Sequence, residues 1–321
     1  MKAIVYHKYG SIEHLQLEEI EKPHPKDNEV LIKIHAAALN SWDWDLVKGT
    51  LQGRIFGLFS PKYKILGADV AGTIEAVGKN VTDFKIGDAV FGDLSEDHWG
   101  GFAEYVCANE KYLLHKPPSL TFEQAAATPQ AGLLAIQALF HKRPITKGQE
   151  ILINGAGGGV GTFCIQIAKS YGLEVTAVDK KEKLDALRKI GANHLIDYQQ
   201  TDYTKTGEQY DLIIDNVAHR NTKAYSKVLK SDGVFIMIGG KTGTILNALI
   251  QGSWVSKRTD KHIGILAYQP NKEDLNNLTK LIISGKVQPI IDKTFSLENT
   301  IEAFRHYEAG SFVGNIVVKV I

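Results

Sequence analysis

Short apolar runs bounded by Gly, Pro and Asp dominate the first third of the chain. Residues 30–36 (Val30-Leu31-Ile32-Lys33-Ile34-His35-Ala36), 71–77 and 89–91 read as strands joined by Asp/Gly turns. Phe102-Ala103-Glu104-Tyr105-Val106 alternates with period two, as a half-buried strand does. This part predicts a mostly β module. After Pro117-Pro118 the pattern changes. Thr121 and Gln124 fit a capping box at the head of an Ala-rich helix; Pro129 interrupts it, and a second helix runs through Leu139. From Glu150 onward short apolar runs at 151–153, 175–178, 194–196, 212–214 and 234–238 alternate with helical segments, of which 162–171 and 182–190 are the clearest. Such runs, with helices between them, predict a parallel sheet covered on both faces. Residues 263–266 are expected to close its far edge, 274–283 to form a helix leading away, and 314–320 to return as a strand to the first module.

A length of 321 residues exceeds what one hydrophobic core usually organises and so predicts two domains. The formal net charge of +1 offers no electrostatic reason for nucleic acid or an anionic membrane as a partner, and no apolar run reaches spanning length. The chain runs from Met1 straight into strand-like residues and holds two cysteines, Cys107 and Cys164, too few for a disulfide framework. The cytoplasm is the expected compartment.

The segment richest in chemistry is Asn154-Gly155-Ala156-Gly157-Gly158-Gly159-Val160-Gly161, between a predicted strand and a predicted helix. In that context a glycine run acquires meaning: small residues let the backbone turn and approach a pyrophosphate, and the helix start presents free N–H groups. Against the G-x-G-x-x-G pattern, Ala156, Gly158 and Gly161 fill the three slots. The competing reading is a flexible loop without a ligand. Asp179, at the end of the next strand, suits an adenosine ribose and so favours NAD. Lys180, Lys181 and Lys183 follow at once and suit a 2′-phosphate. The alternative for both is ordinary helix-start chemistry, with Asp179 as N-cap and the lysines solvated.

Together these residues resemble the zinc-independent, zeta-crystallin-like quinone oxidoreductases of the medium-chain dehydrogenase/reductase superfamily, over essentially the whole chain. The resemblance is carried by Met1-Lys2-Ala3-Ile4-Val5, Ala38-Leu39-Asn40-Ser41-Trp42-Asp43, Gly67-Ala68-Asp69-Val70-Ala71-Gly72, Gly87-Asp88-Ala89-Val90, the glycine loop, residues 191–198 and Gly314-Asn315-Ile316-Val317. It implies an α/β protein: a Rossmann doubly wound parallel sheet (residues 123–265) inserted into a GroES-like, mostly β catalytic domain (residues 1–122 plus 266–321). It further implies that Gly158, Gly159, Val160 and Gly161 face the pyrophosphate. Asp179, Lys180, Lys183 and Tyr198 would surround the adenosine ribose. Thr128, Asn216, Val217, Gly239, Gly240, Phe312, Val313 and Asn315 would lie along the rest of the cofactor. NADPH is the expected cofactor because the lysines are available, with NADH the alternative because of Asp179.

Where zinc-dependent members of the superfamily carry Cys and His ligands, this chain has Asn40-Ser41-Trp42-Asp43 and Gly67-Ala68-Asp69. Zinc needs closely placed N, S or O ligands, so a zinc-free site is expected. Without a Lewis acid, reduction of a conjugated carbonyl is easier than alcohol oxidation. Asn40 is then a candidate for holding the developing oxyanion, Asp43 for orienting a water or a neighbouring donor, and Trp42 for lining an aromatic-accepting pocket. Their bland alternatives are turn formation for Asn40 and Asp43, and core packing for Trp42 and its neighbour Trp44. The expected activity is NAD(P)H-dependent reduction of a quinone or other conjugated carbonyl, with alkenal reduction as the enzymatic alternative. A cofactor-sensing or RNA-binding role is the non-enzymatic one. A small-molecule substrate, no nucleic-acid or membrane partner, and a homo-oligomer, commonly a dimer in such families, complete the expectations.

Overall fold

The computed structural model describes residues 1–51, 53–142 and 144–321. They form two compact units: Met1–Leu133 with Pro270–Ile283 and Pro289–Ile321, and Leu134–Gln269 with Ser284–Gln288. In chain order the elements are β1 (Lys2–Val5), β2 (Gln16–Glu19), β3 (Glu29–Leu39), α1 (Ser41–Lys48), β4 (Asp69–Val77), β5 (Ala89–Asp93), β6 (Tyr105–Asn109), β7 (Leu113–His115), α2 (Phe122–Ala126) and α3 (Pro129–Phe140). Then come β8 (Glu150–Asn154), α4 (Gly159–Ser170), β9 (Glu174–Asp179), α5 (Lys181–Lys189), β10 (His194–Asp197), β11 (Tyr210–Asp215), α6 (Thr222–Lys227), β12 (Leu229–Met237), α7 (Thr242–Arg258) and β13 (His262–Ile265). The chain ends with α8 (Lys272–Ile283), β14 (Ile291–Ser296), α9 (Thr300–Ala309) and β15 (Asn315–Lys319).

In the first unit β3 is the organising strand. It pairs antiparallel with β4, β6 and β15, and its apolar residues are buried on both faces, which accounts for the near-continuous hydrophobic run. With β5, β7 and β14 these strands make a seven-stranded sheet, and β1 and β2 form a separate antiparallel pair. Tyr6, Trp99, Phe102 and Phe304 are the largest side chains of its main core. The strand expected at 102–106 begins at Tyr105 instead. Phe102 is held outside the ladder, its carbonyl accepting from Ile4 N–H and its N–H donating to Leu66. The helix α1 is not announced by the sequence pattern; Asn40 caps it, and Gly49 ends it in the left-handed conformation at φ 63°.

In the second unit the order β10-β9-β8-β11-β12-β13 is parallel throughout. Numbered within the unit this is 3-2-1-4-5-6, the doubly wound arrangement in which β8 and β11 flank the point where strand order reverses. The expected edge role of 263–266 falls to β13. The expected helix at 162–171 starts earlier, so that Gly159 to Gly161 form its first turn. α7 carries apolar residues around its circumference, with Ala248 buried and Leu246, Leu249 and Ile250 exposed, and therefore shows no single stripe.

The unit boundary at Leu133/Leu134 lies later than the expected 122/123. α2 packs on β3 and β4, and the backbone N–H of Gln130 is tied to Asp69, which keeps that stretch with the first unit. On the return path, Ser284–Gln288 stays with the second unit, where Gln166 and Gln288 exchange two side-chain-to-backbone hydrogen bonds. Among the described residues no helix is long and apolar enough to cross a membrane.

Candidate functional site: a dinucleotide edge and a buried carboxylate cluster

Ligands of doubly wound sheets bind beyond the carboxyl ends of the strands, at the reversal point. Here β8 ends there in Asn154 and passes into the glycine loop, while β11 ends in Asp215 beside it. The two ends are stapled together. Asn154 Nδ2 donates to Asp215 Oδ1 at 2.8 Å, and Asn216 Nδ2 donates to the carbonyl of Asn154 at 3.0 Å. Asp215 is fully buried, and burial pushes its carboxyl above the usual range against the pull of the Val217 N–H and the Asn154 amide. Sequence reading missed Asp215; the only local signal is a carboxylate closing the apolar run Leu212-Ile213-Ile214.

The loop fits a phosphate-bearing ligand. Gly158 is the N-cap of the twelve-residue α4 and supplies no capping side chain, so the first-turn N–H groups stay available. A Cβ on Gly158 would find its nearest neighbour 3.8 Å away, whereas one on Gly161 would run into the backbone of Ala156. The first glycine therefore keeps space open, and the second lets the helix pack on the loop. Asn216 Oδ1 is buried and accepts from no protein donor, which leaves an acceptor for a ligand hydroxyl or amide. The residues present thus fit a dinucleotide.

Around this edge the predicted residues are disposed unequally. Val160 is half-buried, and Val217 and Tyr198 are exposed. Gly239 and Gly240 lie against the 216–218 loop, where Cβ atoms would stand 2.5 and 2.6 Å from the carbonyls of Asn216 and Ala218. Asp179 is not a helix N-cap. It ends β9, and Lys180 takes the cap position. Of the lysines, Lys181 is exposed, Lys180 half-buried and Lys183 buried, which overturns the solvated reading for Lys183.

In the first unit Thr128 is buried and donates its hydroxyl to the carbonyl of Gln124 at 2.7 Å. Phe312 stacks on Tyr307 at 5.4 Å, Val313 N–H donates to Asp292, and Asn315 Nδ2 donates to the carbonyl of Ile290. Trp44 packs on Phe304 and Tyr307 with Lys48 over its ring, in line with a core role. Trp42 packs against the same core while remaining partly exposed.

Asn40, Asp43 and Asp69 form one network. Asp43 accepts from Asn40 N–H and Gly67 N–H, both at 2.7 Å. Asn40 Nδ2 donates to Asp69 Oδ2 at 3.0 Å, and Asp69 also accepts from Gln130 N–H in the first turn of α3. Both carboxylates are fully buried, and Asn40 is 9% exposed. Burial raises Asp43 to about 7, although the N–H groups of Asn40 and Gly67 pull the other way. Burial and the neighbouring Asp93 hold Asp69 well above the carboxylate range. Sequence reading placed Asp69 in a motif without giving it a partner. Among the described residues no group of three or more His, Cys, Asp or Glu is placed to hold a metal ion.

Comparison with known proteins agrees with this geometry. Residues 26–118 match the alcohol dehydrogenase GroES-like domain family, and residues 190–318 the family described as zinc-binding dehydrogenase. The chain is similar to the 2-methylene-furan-3-one reductase of Solanum lycopersicum, with 34% identity over 100% of this chain and 79% of that one. It is 31% identical to the quinone oxidoreductase of Homo sapiens, over 97% of this chain and 95% of the relative. The solved quinone oxidoreductase of Coxiella burnetii superposes with a TM-score of 0.89 at 31% identity, covering 100% of this chain and 99% of that one. A Rossmann-type parallel sheet with a GroES-like partner, matched end to end by such relatives, places the chain in the quinone oxidoreductase family of the medium-chain dehydrogenase/reductase superfamily.

Proposed function

We propose that this chain is an oxidoreductase that reduces quinones and conjugated enones with a reduced nicotinamide dinucleotide and without zinc. The observation that carries the proposal is the glycine loop feeding an uncapped α4 at the reversal point of the parallel sheet. When bound, the reduced nicotinamide supplies the hydride. The residues of the chain then have separate tasks. Gly158 to Gly161 and the first turn of α4 would hold the pyrophosphate, and Asn216 Oδ1 would offer an acceptor to a hydroxyl or amide of the dinucleotide. Asn40 offers the amide N–H not engaged by Asp69 to the oxygen on which charge develops. Asp43 and Asp69 fix Asn40 by its backbone and its side chain, so they act as positioning residues. Thr128, Gly239, Gly240, Val217, Phe312, Val313 and Asn315 are proposed to line the remainder of the dinucleotide, and Trp42 the acceptor.

The enone part of the substrate class draws support from the similarity to a 2-methylene-furan-3-one reductase. NADPH draws support from Lys180, Lys183 and Tyr198, and NADH from Asp179. A cytoplasmic location and a homodimer belong to the same proposal. The location is supported by two cysteines that form no disulfide, the dimer by family resemblance alone. The test is a turnover screen of quinones, enones and alkenals with NADH and NADPH on one preparation. Quinone or enone turnover supports the reading. Dinucleotide binding without turnover of any acceptor would favour a sensing role instead.

A further inference from the structure

The parallel pairing of β14 with β15 slips once. Ile291 faces Asn315 and Lys293 faces Ile316, so the ladder passes over Asp292. A bulge of this kind re-aims the side chain of the extra residue. Here the re-aimed group is a carboxylate with two partners. Oδ1 accepts from Val313 N–H at 2.9 Å, and Oδ2 pairs with His306 Nε2 at 2.7 Å, the imidazole donating. His306 sits in the last turn of α9 and packs near the rings of Phe295 and Phe312, at 5.8 and 6.3 Å.

Asp292 thereby grips the segment that joins α9 to β15. Both ends of that segment are fixed by the backbone. Gly310 closes α9 in the left-handed conformation at φ 66°, and Asn315 donates its N–H and its Nδ2 to the carbonyl of Ile290, at 2.8 and 3.0 Å. Phe312 and Val313 lie between these anchors, with Phe312 stacked on Tyr307. Because β14 is the edge strand of its sheet, a bulge there also discourages pairing with another chain. That task requires neither a carboxylate returned onto a loop nor an imidazole behind it.

We propose that Asp292, held by His306, is a positioning residue for the nicotinamide half of the dinucleotide and acts through Phe312 and Val313; the inference rests on the dinucleotide reading above. In that reading Gly158 to Gly161 take the pyrophosphate and the residues around Asp179 the adenosine, so the part left to Phe312 and Val313 is the nicotinamide. A segment that its ligand must first order binds with a Kd raised by the inverse of the fraction already in place. Asp292 keeps that fraction high before the dinucleotide arrives. With His306 on one oxygen, the other is left facing the loop.

The experiment is calorimetric titration of the full chain with NADH, NADPH, ADP-ribose and ADP-ribose 2′-phosphate. The last two carry the adenosine and the pyrophosphate without the nicotinamide. Asp292→Ala is expected to weaken dinucleotide binding about tenfold and to leave the Kd of the nicotinamide-free ligands unchanged. Asp292→Asn keeps an oxygen for Val313 N–H and should stay within about twofold of the wild type. His306→Ala leaves the carboxylate without its support and should fall between the two, so it reads the same split if Asp292→Ala does not fold. Three outcomes overturn the inference while leaving the dinucleotide reading intact: an unchanged dinucleotide Kd in a folded Asp292→Ala, an equal loss for ligands with and without nicotinamide, or a loss in Asp292→Asn as large as in Asp292→Ala. Failure of the wild type to bind either dinucleotide overturns both.

Discussion

Asp69 and Asp93 lie directly opposite one another on the antiparallel strands β4 and β5, and both are buried. Side chains at such positions are close enough to interact, and two like charges there are unfavourable. Burial foremost, with the facing Asp93 second, pushes the Asp69 carboxyl well above the ordinary carboxylate range. Asp43, raised chiefly by burial and further by the same Asp93, titrates at about 7. The polar network that holds Asn40 is therefore built on carboxyls that burial holds above the ordinary range.

Stability should accordingly fall as pH rises towards 8. The folded-state values of Asp43 and Asp69 lie above the roughly 4 of an unfolded chain, so the native state holds protons that the unfolded state releases. Their stabilising contribution is complete below about pH 4. The Asp43 share is lost as pH passes through about 7. Asp93→Asn removes the opposing charge and can still accept from Ser95 N–H as Asp93 does. It should raise Tm at pH 8 by roughly 2–4 °C, on the order of 1 kcal/mol, and by less at pH 5. Thermal melts of both proteins across that range check this, and a gain that is equal at both pH values would sink the account of opposed carboxylates.

The two glycines that flank the start of α4 should separate by phenotype. Gly158→Val meets open space and should give a folded protein whose dinucleotide affinity falls at least tenfold, because the added atoms fill the phosphate approach. Gly161→Val forces the helix off the Ala156 backbone and should cost about 1–3 kcal/mol or more of stability. Circular dichroism melts beside calorimetry distinguish them; a folded Gly158→Val with unchanged affinity is the outcome the site cannot accommodate.

Asn40 and Asp69 should behave as donor and support. Asn40→Ala is expected to lower kcat for quinone reduction on the order of 10²-fold, with a smaller change in the KM for dinucleotide. Asp69→Asn can still accept from Asn40 and Gln130 N–H through its amide oxygen and should retain most activity, whereas Asp69→Leu should resemble Asn40→Ala. Steady-state kinetics of the three variants decide the point. Equal loss in Asp69→Asn and Asp69→Leu would mean that the charge, rather than the hydrogen bond, is what matters.

Catalysis should survive metal removal. After exhaustive chelation the enzyme is expected to keep its quinone or enone turnover and to show little oxidation of ethanol. An alcohol needs its oxygen charge stabilised as hydride leaves, which zinc does far better than an amide. Metal analysis and both assays on the same sample test this. Stoichiometric zinc, with activity that vanishes on its removal and returns on its addition, would falsify the metal-free mechanism.

The sequence alone determined the alternation of strands and helices after Glu150 and the glycine loop between β8 and α4. Apolar periodicity and the steric freedom of glycine act over a few residues, and such local rules are readable without a fold. The same locality explains the errors. Lys183 reads as one of three solvated lysines until α5 turns it back onto Asp179. Asn40 and Asp43 read as a turn or a site until α1 shows that they cap a helix and also join Asp69. The opposition of Asp69 and Asp93 is set by the register of β4 against β5, and the joining of Asn154 to Asp215 by the register of β8 against β11. Register is a property of paired strands remote in sequence, and the free energy of a buried charge depends on what faces it. Tertiary structure therefore decided which carboxylates are paired, which are held above the ordinary carboxylate range and which lysine is already taken.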